Sequence, residues 1–106
     1  MSEYVNHPAY AKLHARFPGV KLDGGGMTPL QGRVVFHQER IFRSTGGGQV
    51  AHTRYVKLCT IARLPNVITD MTPADCVHAL YLIQRAAHWA GLGGFRDIAT
   101  QWEVFA

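Results

Sequence analysis

The sequence predicts an α+β fold in which a small antiparallel sheet is built on a long Gly-tipped β-hairpin and carries two helices, in the order α-β-β-α-β. Three observations predict it. Two runs rich in β-branched and aromatic residues, Gln31 to Arg43 and Gln49 to Leu64, flank the tip Ser44-Thr45-Gly46-Gly47-Gly48. Thr72-Pro73-Ala74-Asp75 opens a helix, and Gln101-Trp102-Glu103-Val104-Phe105 alternates apolar with polar as a strand does. A chain of 106 residues has room for one domain, spanning 1–106.

Each element has its own signals. Asn6 is placed to cap a first helix over Tyr4 to Phe17 with Pro8 in its first turn, and Tyr10, Leu13 and Phe17 form its apolar stripe. Pro18-Gly19 stops it, and Asp23-Gly24-Gly25-Gly26 forms a loop before Thr28-Pro29 restarts ordered chain. The Gly-rich tip between the two β-type runs argues for an antiparallel hairpin. With the turn centred near Gly47, Val34 and Phe36 face Leu58 and Thr60 at the base, while Arg40 lies opposite Arg54 and Phe42 opposite His52 farther out. The other face pairs Val35 with Cys59 and Ile61, then sets His37 near Lys57 and Glu39 near Tyr55.

The second helix runs from Thr72, the cap, to about Ala90. Cys76, Leu80, Ile83, Ala87 and Ala90 share its apolar face, and His78, Tyr81, Arg85 and His88 line the opposite one. Gly91 supplies a left-handed stop, and Asp97 to Phe105 closes the domain as a strand that covers the hairpin or lies at a sheet edge.

Eleven Lys and Arg against seven Asp and Glu give a net charge of +4, and eight of the eleven cations are Arg. Arg presents a planar fork suited to phosphate, carboxylate or an interface, so the excess raises phosphate and protein partners. Cys59 and Cys76 sit in apolar surroundings and read as small core residues, with one disulfide between them allowed. The start of the chain has no charged region followed by an apolar one, and no apolar run approaches the length of a membrane span, because Arg85 and His88 interrupt the longest candidate. The expected compartment is cytoplasmic.

The motifs exclude more chemistry than they suggest. None of the three Gly clusters lies between a strand and a helix N-terminus, as a phosphate-cradling loop requires. His37-Gln38-Glu39 is an H-x-E pattern that would place both side chains on one side of a strand, but the P-C-x-x-C that completes a zinc deaminase site is missing. Six histidines, at 7, 14, 37, 52, 78 and 88, include no pair at i and i+4, so no metal or other cofactor is expected. Ser44, Thr45, Cys59 and Cys76 are candidate nucleophiles, and none lies in a nucleophile motif. The expected protein is not an enzyme, with a small enzyme built on His37 and Glu39 as an alternative.

The constellation that remains is the outer hairpin, where Arg40, Arg43, His52, Arg54 and Lys57 interleave with Phe42 and Tyr55, and Arg85 of the second helix extends the same basic surface. Cations meet phosphates, aromatic rings stack on bases, and a two-stranded ribbon fits a major groove. Arg40, Arg43, His52, Arg54, Tyr55, Lys57 and Arg85 are therefore the expected binding residues of a small protein that contacts nucleic acid or a nucleoprotein.

Ala87-His88-Trp89-Ala90-Gly91-Leu92-Gly93-Gly94-Phe95-Arg96, followed by Trp102-Glu103-Val104-Phe105, resembles the closing helix, Gly turn and strand of small phage-encoded accessory proteins. The resemblance implies a phage or prophage origin, where small single-domain proteins bind nucleic acid or block a host defence complex, as anti-CRISPR proteins do. It implies no particular binding residue. A protein-interaction module bound to a host complex is thus the second expectation, with self-association through pairing of Gln101 to Phe105 as a related option, and the enzyme built on His37 and Glu39 is the third.

Overall fold

The structure, a computed structural model, describes residues 27–100. The described residues form three α-helices, α1 (Pro29–Phe42), α2 (Gly48–Ile61) and α3 (Pro73–Trp89), with a short 3-10 turn at Ile68–Asp70 between the last two. Among the described residues there is no strand. This all-helical arrangement overturns the expected α+β fold and its hairpin.

α1 begins where Thr28 caps it. The Gln31 amide donates to Thr28 Oγ1 at 3.2 Å and the Thr28 amide donates to Gln31 Oε1 at 2.9 Å, with Pro29 at the first helical position. This reciprocal pair satisfies two amides that a helix start would otherwise leave unpaired. The Gln31 side chain is buried and also donates to the Met71 carbonyl at 2.9 Å, which ties the start of α1 to the entry of α3. Leu30, Val34, His37 and Ile41 then recur at helical spacing and are all buried.

α2 has no side-chain cap. Its start is set by backbone approach instead: a Cβ on Gly48 would lie 2.6 Å from the Ile41 carbonyl oxygen and 2.9 Å from that of Phe42, so α2 departs from the end of α1 through a contact that only glycine allows. From there α2 folds back along α1, with His52 against Phe42 and Gln38, and the two form an αα-hairpin. The two expected strands are thus neighbours in space, but as helices. Ala51 and Tyr55 bury their side chains, and Leu58, Cys59 and Ala62 pack partly against the same core.

The β-branched residues that suggested strands cost a helix only a few tenths of a kcal/mol each. Packing outweighs that cost, because the helical conformation gathers Leu30, Val34, His37 and Ile41 on one side, where a strand would divide them between two faces. α2 ends on a six-to-one bond from the Leu64 amide to the Cys59 carbonyl at 3.1 Å, with Arg63 in the left-handed region at φ 58°.

α3 matches its expectation closely. Thr72 and Asp75 form the reciprocal cap with Pro73 at the first position. Cys76, Leu80, Ile83 and Ala87 are buried, whereas His78, Tyr81, Arg85 and His88 are exposed. Ala79, Ala86 and Ala87 are fully buried as well, and these small side chains let α3 pack against both α1 and α2. Gly91 at φ 74° and the Leu92 amide bonded to the Ala87 carbonyl end it in a Schellman motif.

Beyond α3 the chain turns back over the core, burying Phe95, Ile98 and Ala99. Residues 97–99 are turns where a strand was expected, with Asp97 at φ 60°. The expected strand from Gln101 to Phe105, the helix over Tyr4 to Phe17 and the Asp23 to Gly26 loop lie outside the described residues. No helix among the described residues is long and apolar enough to cross a membrane.

Candidate functional site

The helical fold divides the seven expected binding residues into two groups. Arg40 is committed to the fold: its guanidinium donates to the Gly94 carbonyl and lies 4.3 Å from the centroid of the buried Phe95 ring. Arg43, the C-cap of α1, pairs with Glu39 one turn earlier at 3.3 Å. His52 sits edge-on to Phe42 at 5.2 Å and beside Tyr55 at 6.2 Å, and burial lowers its pKa from the ordinary imidazole value. Tyr55 is only 5% exposed. Burial pushes the phenol above its ordinary range. These four side chains serve packing or are already neutralised, so they do not form the free basic surface that the sequence suggested.

Arg54, Lys57 and Arg85 do converge. One turn of α2 places Arg54, Lys57 and Leu58 on its outer face, and successive turns of α3 place Tyr81, Arg85, His88 and Trp89 on the face beside it. Two open depressions result. One, of about 390 Å³, is lined by Arg54, Leu58, Tyr81, Arg85, His88 and Trp89. The other, of about 520 Å³, is lined by Val50, Thr53, Arg54, Lys57 and Trp89. Arg54 and Trp89 belong to both and form the seam between them.

The Arg54 guanidinium lies 5.0 Å from the Trp89 ring centroid, and Arg85 lies 5.8 Å from that of Tyr81. Trp89 is 56% exposed and Tyr81 44%. The acidic side chains within residues 27–100 are Glu39, Asp70, Asp75 and Asp97. None of them lines either depression. Cations that share a surface with flat rings and have no carboxylate partner there can take an anion without first breaking an ion pair.

Trp89 was missing from the expected site. Its signal was the series Tyr81, Arg85, Trp89 at steps of four, which stacks the three along one helical face.

The alternative catalytic grouping does not assemble. His37 and Glu39 stand two residues apart on a helix and therefore point to different sides. His37 is 1% exposed inside the core, while Glu39 is at the surface with Arg43. The His37 ring has a cation as its neighbour, with Arg40 Nη1 3.5 Å from Nδ1; a guanidinium can only donate, so Nδ1 accepts and the ring proton sits on the buried Nε2. Nε2 has no hydrogen-bond partner among the described residues. Burial, with Arg33 and Arg40 nearby, holds the imidazole pKa down to about 3.

The candidate nucleophiles fare no better. The Ser44 hydroxyl donates to the Arg40 carbonyl at 2.8 Å, and burial followed by the charge of Asp75 pushes the Cys76 thiol up to about 12. Burial also raises the Cys59 thiol, and the two cysteines are unbridged. Among the described residues no three His, Cys, Asp or Glu side chains gather as metal ligands. Comparison of the chain with protein-family models, with curated proteins and with solved structures finds no match.

Proposed function

We propose that the protein binds nucleic acid through the face shared by α2 and α3. The observation that carries this reading is the convergence of Arg54, Lys57 and Arg85 on the exposed Trp89, with no carboxylate of the described residues in the lining. Phosphates supply the charge that these three cations, which make no ion pair among the described residues, attract, and counterion release makes such binding steeply salt-dependent. The net charge of +4 favours encounter with a polyanion from any direction.

The test is titration of a labelled oligonucleotide at several salt concentrations, for the wild type and for the combined variant Arg54→Ala, Lys57→Ala, Arg85→Ala. The variant should bind at least tenfold more weakly, with the slope of log affinity against log salt shallower by about two to three. Unchanged affinity and slope would end this reading.

A second reading is a protein-interaction module, such as a phage-encoded inhibitor of a host complex. Exposed Trp, Tyr and Arg are the residue types that anchor protein interfaces, and Trp89, Tyr81 and Arg85 stand together on this face. Nuclease-treated lysate separates the two: a host protein retained by the wild type and lost by Trp89→Ala, with no affinity for oligonucleotides, favours the second.

A further inference from the structure

We infer that the nucleic acid taken by this face is single-stranded, with one base stacked on the Trp89 indole at the seam between the two depressions. The inference rests on the nucleic-acid reading above and goes further, to the form of the ligand and the way it is held.

Three features of the face carry it. First, Trp89 and Arg54 line both depressions, so a ligand running from one to the other must pass over that pair. Second, the cations are distributed along that path: Lys57 lies in one depression, Arg85 in the other, and Arg54 at the middle. Third, the flat rings are exposed at that path, with Trp89 at the seam and Tyr81 beside Arg85. Alternation of cation and ring along a groove matches the alternation of phosphate and base along a single strand.

A duplex does not fit this arrangement. Its base faces are covered by their neighbours in the stack, so an indole reaches one only where a base is unstacked. Base edges are accessible in the major groove, but reading them takes a helix that stands clear of its neighbours. Arg54 and Trp89 instead meet across two helices packed side by side. A single strand presents base faces freely, and these stack on aromatic rings and on guanidinium planes alike.

The experiment uses the full chain carrying Trp102→Phe, which leaves Trp89 as the one tryptophan. Oligothymidylate, oligouridylate and a mixed-sequence duplex are titrated while the indole emission is followed, and labelled versions of the same probes are titrated against chains that keep Trp102. At least one single strand should quench Trp89 and bind about tenfold or more tighter than the duplex, and the tighter of the two identifies DNA or RNA as the source. Trp89→Ala should weaken single-strand binding about tenfold while leaving the salt slope in place, and Trp89→Phe should recover most of the loss. Equal affinity for duplex and single strand, or indole emission that does not change on binding, overturns the stacking inference while salt-dependent binding still upholds the nucleic-acid reading. Absence of binding to all three probes removes both.

Discussion

Arg40 and Arg54 each lie over an aromatic ring, and they do opposite things. Arg40 lies 4.3 Å from the Phe95 centroid and also donates to the Gly94 carbonyl, so its charge is spent on holding the closing segment against α1. Arg54 lies 5.0 Å from the Trp89 centroid and makes no ion pair among the described residues. Phe95 is buried, whereas more than half of Trp89 is exposed. The same pairing is therefore structural where a backbone carbonyl completes it and the ring belongs to the core, and available for a ligand where neither holds.

Three substitutions would break or sharpen that contrast. At neutral pH the largest effect belongs to Arg40→Ala, which should lower unfolding free energy by about 2 kcal/mol through loss of the Phe95 contact and the bond to Gly94. Chemical denaturation measures it, and amide exchange at Phe95 to Ala99 should quicken in parallel. A loss under about 0.5 kcal/mol would mean that the closing segment holds without the guanidinium.

Next comes His37→Leu, which probes the buried ring beside Arg40. The imidazole pKa is about 3 in the folded chain and near 6.5 when unfolded. Between those values the unfolded chain binds a proton that the folded chain does not, so the wild type loses stability as pH falls from 6.5 toward 3, by at most about 1.4 kcal/mol per unit. Leu binds no proton. The variant should match the wild type within about 1 kcal/mol at neutral pH and gain on it steadily through that window. Parallel stability curves for the two proteins would contradict the placement of a neutral His37 in the core.

Arg54→Ala should have the smallest effect on stability, within about 0.5 kcal/mol of the wild type, as for most exposed positions. A loss as large as that of Arg40→Ala would make Arg54 a structural residue and dissolve the distinction between the two pairs.

The helices differ in how openly the sequence declares them. Thr72-Pro73-Ala74-Asp75 and Thr28-Pro29-Leu30-Gln31 are the same device, a Thr cap, a Pro at the first position and a side chain reaching back three residues later. In α3 the following residues are mostly good helix formers, so local preference and cap agree. In α1 the Val34-Val35-Phe36 run pulls the local preference toward a strand and hides the same signature. α2 has neither signal: its start depends on Gly48 meeting the Ile41 carbonyl, and its end on Arg63 in the position where glycine is the usual marker.

The site was legible to a comparable degree. Arg54, Lys57 and Arg85 stood out as cations near aromatic residues, yet their grouping with Trp89 follows from a period of 3.6 rather than 2 and from the packing of α2 on α3.

The sequence alone determined the basic charge and α3 with both of its ends. Tertiary structure decided that the two β-rich runs are helices, because burying one stripe of each against α3 outweighs a local preference of a few tenths of a kcal/mol per residue. It also decided which cations of the described residues are held by the fold. A guanidinium is spent or available according to the carbonyls, rings and carboxylates within its reach, and those come from parts of the chain as distant as Gly94 is from Arg40.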